Sequence, residues 1–75
     1  MVTVLREAGM RFVIYTDDHE PAHVHVYGNA EARINILRLT VLSNRRMMKR
    51  DLSVALAFVQ ANQRLFTEKW ESIHG

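Results

Sequence analysis

The chain has 75 residues, of which 48% are hydrophobic and 24% charged, with no cysteine and a formal net charge of +2. This is the composition of one small globular domain rather than a disordered chain, and the lack of cysteine excludes both a disulfide framework and a thiolate zinc site. A domain of this size buries only about 60% of the surface its unfolded chain exposes, so oligomerisation or a bound partner is the expected source of added stability. The apolar runs are too short to span a bilayer, and Met1 leads into Val-Thr-Val-Leu-Arg instead of a basic stretch followed by an apolar signal core. The expectation is a soluble, cytoplasmic protein with no membrane partner.

Val2 to Glu7 and Arg11 to Thr16 are β-branched and aromatic segments separated by Ala8-Gly9-Met10, which reads as a hairpin. The loop around Pro21 then interrupts the pattern, because proline cannot donate a ladder hydrogen bond. His23 to Tyr27 resumes as a strand, Gly28-Asn29 signals a turn, and Ala32 to Ile36 forms a further strand that kinks or continues toward Leu42. From Lys49 the period changes: Leu52, Leu56, Val59, Gln63, Phe66, Trp70 and Ile73 recur at spacings of four and three. That stripe predicts a single helix about 24 residues long. No Ser, Thr, Asp or Asn cap immediately precedes Lys49, and Asn62 and Gln63 form a polar break that can mark a bend, a buried hydrogen bond or an interface position.

These elements predict an α+β domain over residues 1–75: an antiparallel sheet of three to five strands with one long C-terminal helix packed on one face. Residues 1–44 form the sheet and residues 45–75 the basic turn and helix. By alternation, Phe12, Ile14, Val24, Val26, Ile34 and Ile36 supply the apolar face that the helix covers.

Chemistry concentrates in Asp17-Asp18-His19-Glu20-Pro21-Ala22-His23-Val24-His25-Val26, where three of the four histidines and three carboxylates surround the only proline. If Val24 and Val26 face the helix, His23 and His25 share the opposite face with Tyr27, their Cβ atoms roughly 7 Å apart by strand rise. Two imidazoles at that spacing can converge on one ion or flank one substrate atom, with His19, Asp17, Asp18 or Glu20 completing the set. His19, His23 and His25 are accordingly candidate catalytic groups, splitting acid and base roles in cleaving an RNA phosphodiester through the ribose 2′-hydroxyl. They are equally candidate ligands for a divalent transition metal. The alternative is a set of solvent-side or interface histidines without chemistry. His74, near the C-terminus, reads as incidental.

Charge is unevenly distributed. Residues 1–37 carry Arg6, Arg11 and Arg33 against five carboxylates, whereas residues 38–75 carry seven basic and three acidic residues. The cluster Arg45, Arg46, Lys49 and Arg50 can meet phosphates or an acidic protein, or form a solvated helix start. Tyr15 and Tyr27, on outward strand positions, can stack on a base or anchor a partner. Phe66 and Trp70 read as core.

The segments Thr3-Val4-Leu5-Arg6-Glu7-Ala8-Gly9-Met10-Arg11-Phe12, His19-Glu20-Pro21-Ala22-His23-Val24-His25-Val26, Lys49-Arg50-Asp51-Leu52 and Glu68-Lys69-Trp70 together resemble the small bacterial family called domain of unknown function 4160. The resemblance runs over nearly the whole chain, and its most distinctive part is the His-Glu-Pro-x-His-Val-His-Val segment. It implies a small prokaryotic protein, often paired with another small domain in an arrangement resembling toxin–antitoxin modules, and hence a protein partner and a toxin-type role. It implies no reaction. Two positions depart from the family pattern: Ala22 stands where a second proline is common, and Met48 where a serine-like helix cap is usual. The functional expectation is therefore a toxin–antitoxin-type component that binds a small partner protein, a second copy of itself, or RNA or DNA. The alternative is a histidine-dependent ribonuclease-like toxin, with or without metal.

Overall fold

A computed structural model describes residues 2–75; Met1, at the start of the expected sheet-forming part, lies outside the described residues. Five strands, β1 (Val2–Glu7), β2 (Met10–Ile14), β3 (His23–Tyr27), β4 (Glu31–Asn35) and β5 (Val41–Arg45), are followed by two helices, α1 (Lys49–Ala61) and α2 (Gln63–His74). The strands pair in sequence order as one antiparallel meander, with β1 and β5 at its edges.

The β1–β2 connection is a two-residue turn: Glu7 pairs with Met10, while Ala8 and Gly9 take φ of 54° and 72°. Positive φ at both central positions matches the right-handed twist of the flanking strands, which is why such turns close hairpins. Two irregularities kink the edges. The register between β1 and β2 shifts between Thr3 and Leu5, and that between β4 and β5 shifts at Arg33 and Ile34, where Ser43 and Val41 are the partners and Leu42 is the extra residue. The β4–β5 turn is organised by buried Asn35, whose Oδ1 accepts the Leu37 and Arg38 N–H groups at 2.9 and 2.8 Å.

Alternation is realised as expected. Phe12, Ile14, Val24, Val26, Ile34 and Ile36 are fully buried in one core with Met47 from the turn before α1 and Ala55, Val59 and Phe66 from the helices. Phe12 stands at its centre, its ring 5.8 Å from Phe66 and 6.2 Å from Phe58.

The single long helix is corrected to two. The apolar stripe does continue from Val59 through Phe66 to Trp70, all buried, so the core alone does not interrupt it. The interruption is at Asn62, which leaves helical dihedrals at φ −117° and ψ 24°. Its side-chain Nδ2 donates to the Phe58 carbonyl at 2.8 Å, while its backbone N–H reaches the Phe58 and Val59 carbonyls. Asn is prone to such local backbone bonds, which compete with helix continuation. The next residue anchors the new direction: Gln63 Nε2 donates to the Ile36 carbonyl at 2.8 Å and to that of Leu37 at 3.2 Å. The polar break is thus a bend tied by hydrogen bonds to the β4–β5 turn. At the other end, Met48 provides no side-chain cap for α1. Asn44 shapes the approach, accepting the Met47 N–H at 2.8 Å and donating to the Met47 carbonyl at 3.1 Å.

Candidate functional site

The loop after β2 closes immediately on itself. Asp18 N–H donates to the Tyr15 carbonyl at 3.2 Å, and the Asp18 carboxylate returns the bond, Oδ2 accepting the Tyr15 N–H at 3.0 Å. This reciprocal turn holds the carboxylate beside the start of β3, a local use of Asp that needs only a three-residue separation. Pro21 follows in a cis peptide with Glu20, and its carbonyl meets Nδ1 of His23 at 2.8 Å.

Three ligand-type groups consequently converge. One ligand atom each from Asp18, His23 and His25 lies within 4.8 Å of the others. Asp18 Oδ1 is 3.1 Å from His25 Nε2 and 3.5 Å from His23 Nε2. A carbonyl can only accept, so the Pro21 contact places the His23 proton on Nδ1 and, in the neutral ring, a lone pair on Nε2. That lone pair faces a carboxylate oxygen, an arrangement that a proton or metal ion between them turns from repulsive to attractive. Burial pushes the Asp18 carboxyl up, but the Tyr15 N–H, the His25 hydrogen bond and the charges of both imidazoles outweigh it and hold Asp18 below the ordinary carboxylate value.

The surroundings are aromatic. His25 meets Tyr15 edge-on at 4.7 Å and lies parallel to Tyr27 at 6.3 Å, while the two tyrosine hydroxyls share a 2.7 Å hydrogen bond. Burial, the hydrogen bond and the neighbouring negative charge push the Tyr27 hydroxyl up to about 12. Arg11 lies over the Tyr27 ring at 5.2 Å.

His25 sits half-buried on the sheet face away from the helices, as alternation requires. His23 does not lie open beside it: only 6% of it is exposed, and its ring packs 5.4 Å from Trp70 of α2. The reason is the second helix, whose last turns reach this end of the sheet. Trp70 Nε1 approaches Glu20 Oε1 at 3.4 Å. His74, its ring tilted against that of Trp70 with centroids 3.9 Å apart, has its two ring nitrogens against the Trp70 and Tyr15 carbonyls at 2.9 and 3.2 Å. His74 is therefore a docking residue for the helix end rather than an incidental one.

Of the candidate residues, His23 and His25 come together with Asp18. His19 is exposed and lies outside that group, lining a depression of about 430 Å³ with Asp18, His23 and Arg33. Tyr15 and Tyr27 flank His25. Arg45 ends β5 on the sheet face, paired with Glu31 at 3.3 Å, Arg46 follows it in the turn at a φ of 65°, and Lys49 and Arg50 open α1 in the helical layer. Sequence reasoning did not single out Arg33, which pairs directly across from His25 in the β3–β4 register. Alternation on β4 was the signal that placed it on the histidine face.

The fold and site define a small α+β protein in which a five-stranded antiparallel meander, covered by two helices, carries an Asp-His-His group at the mouth of one interstrand loop. The chain belongs to the family described as domain of unknown function (DUF4160), whose model matches residues 9–71 and so spans β2, the histidine segment, the basic turn and Trp70. No curated protein and no solved structure shows significant similarity to it. No helix among the described residues is long and apolar enough to cross a membrane.

Proposed function

We propose that this chain is a binding protein of the toxin–antitoxin type whose working surface is built round a divalent-transition-metal site formed by Asp18, His23 and His25. The convergence of those three groups carries the reading. In a tetrahedral site with bonds of about 2.0–2.2 Å, neighbouring ligand atoms stand about 3.3–3.5 Å apart. Asp18 Oδ1 is already 3.1 and 3.5 Å from the two imidazole nitrogens, and all three ligand atoms lie within 4.8 Å of one another, so an ion has only to draw the group together. The supporting bonds are those a metal site uses. His23 directs its free nitrogen inward by donating the other to a carbonyl, and Asp18 spends Oδ2 on the Tyr15 N–H, so that the ion takes the place of the His25 Nε2 proton on Oδ1. Two imidazoles and a carboxylate suit zinc, manganese, iron or nickel. Three protein ligands also leave a position for water or for a group on the partner. His19, on the rim of the same depression, contacts what binds there rather than the ion.

The test uses the full chain without a histidine tag. Elemental analysis and native mass spectrometry are expected to find about one equivalent of zinc or manganese after incubation, and Asp18→Asn or His25→Gln to weaken uptake at least tenfold, the scale of a lost ligand contact. Absence of uptake by the parent chain refutes the proposal.

A second reading draws on the Asp18–His25 hydrogen bond, which orients an imidazole as a carboxylate partner does in acid–base catalysis. It is metal-free cleavage of RNA by His25 and His23, and cleavage that persists in EDTA but disappears in the His23→Ala/His25→Ala double variant separates it from the first. For a small protein partner or a second copy, support comes from β5, an edge strand with exposed Val41 and Leu42. Co-expression with the neighbouring reading frame and pull-down tests that partner.

A further inference from the structure

Arg33 stands between two depressions on the sheet face. On one side are Asp18, His19 and His23; on the other, a depression of about 410 Å³ is lined by His25, Tyr27, Ser43 and Arg45. Arg33 has no carboxylate within ion-pair distance among the described residues, whereas the nearby Glu31 is engaged by Arg45. Its Nε donates to Ser43 Oγ at 2.9 Å, which holds one edge of the guanidinium and leaves the terminal nitrogens to donate elsewhere. The register irregularity between β4 and β5 falls at this residue and brings Leu42 to the wall of the first depression. Bulges of this kind re-aim side chains beside functional sites.

The geometry points to a phosphate subsite at Arg33, adjoining the metal position, whose ligand is a phosphate ester. This deepens the metal-site reading and rests on it. A divalent ion with one carboxylate and two neutral imidazoles keeps a net charge of +1, and Arg33 adds a second positive charge beside it; Asp17 and Glu20 also line the first depression, so an anion with more than one oxygen to share is held at Arg33, toward Ser43 and Arg45. A phosphate offers one oxygen to the ion's open position and others to the planar guanidinium, whose paired N–H groups match phosphate geometry. Ser43 is the positioning residue, acting through Arg33. Arg45 lies two residues further along β5 than Ser43, about 7 Å away by strand rise, and the track from His25 past Arg33 to Arg45 runs along one sheet face. A chain of successive phosphates fits such a track better than an isolated one.

The full-length protein loaded with cobalt(II) provides a direct readout, because a group entering the metal's coordination changes its visible absorption. Titration with inorganic phosphate is expected to give a saturable spectral change. Arg33→Gln should raise the apparent phosphate dissociation constant about tenfold, the value of one lost charge-assisted contact, while leaving cobalt affinity and the circular dichroism spectrum as in the parent. Ser43→Ala should give a smaller loss in the same direction. Equal phosphate affinity in the parent and Arg33→Gln, or no spectral response in a cobalt-loaded parent, overturns the subsite while leaving the metal site standing. Failure to take up cobalt removes both. Competition with phenyl phosphate and with a short oligouridylate identifies the source: displacement by either upholds the phosphate subsite and tells a monoester from a nucleic-acid backbone, and displacement by neither overturns it.

Discussion

Replacing Asp18 by Asn keeps the size of the side chain and removes its charge, and the structure sets the cost. Asp18 accepts from the Tyr15 N–H through one oxygen and from His25 through the other, 3.0 and 3.1 Å away, and it faces the nearly buried His23 at 3.5 Å. An amide can accept at only one of those positions and presents an NH₂ at the other. The charge-assisted bond to His25 is therefore lost, at a cost of about 1.5–3 kcal/mol at neutral pH. The effect must depend on pH. Asp18 has its carboxyl pKa lowered in the folded state, so its contribution is fully present above the unfolded value of about 3.9 and is lost as pH falls through the lower folded value. Urea denaturation of metal-free parent and Asp18→Asn at pH 6, 5, 4 and 3 should show a stability gap that is constant down to about pH 5 and closes below about 4. A gap of unchanged size across the whole series refutes the assignment of Asp18 as the stabilising carboxylate of this loop, as does the absence of any gap at pH 6.

The remaining predictions concern the metal, the core, the hairpin and the tyrosine pair. Zinc at about a hundred times its dissociation constant adds about 2.7 kcal/mol to the folded state, a rise in melting temperature of roughly 10–20 °C for a domain of this size, read by calorimetry with and without chelator. Phe66→Ala, which empties a fully buried site against Phe12, should cost about 3–5 kcal/mol by urea melting, a large part of the total stability of so small a domain. Ala8→Asn should raise stability by about 0.5–1 kcal/mol, because Ala8 holds a φ of 54° that Asn tolerates better. Ultraviolet titration should show one tyrosine ionising only near pH 12, and Tyr15→Phe should lower that value by removing the hydroxyl partner of Tyr27.

Much of the architecture was legible in the sequence because it depends on near neighbours. Period-two alternation assigned Phe12, Ile14, Val24, Val26, Ile34 and Ile36 to the covered face and His23 and His25 to the other; all six apolar residues are fully buried, but His23 is nearly so too. The hairpin at Ala8-Gly9-Met10, tightened in the structure to Ala8-Gly9 with Met10 in β2, the lack of a cap before Lys49 and the departure at Asn62 and Gln63 were equally visible, although the stripe running through the last read as one helix. The direction taken after the break is anchored by a tertiary partner: Gln63 reaches the Ile36 carbonyl, 27 residues away in the chain.

The site divides in the same way. Local chemistry determined that two imidazoles from one strand would stand beside an acidic loop, since residues two apart on a strand share a face and Asp readily bonds a backbone N–H three residues back. The local turn with Tyr15 selects Asp18 over Asp17 and Glu20, and only the tertiary structure decided that its carboxylate meets the two imidazoles. It also decided that His23 is covered by Trp70, that His74 docks on the Tyr15 carbonyl and that Arg33 stands beside His25. Alternation along a strand fixes a side chain's face, but its neighbours there come from the register of other strands and from a helix some fifty residues away, and those contacts are settled only when the chain is packed.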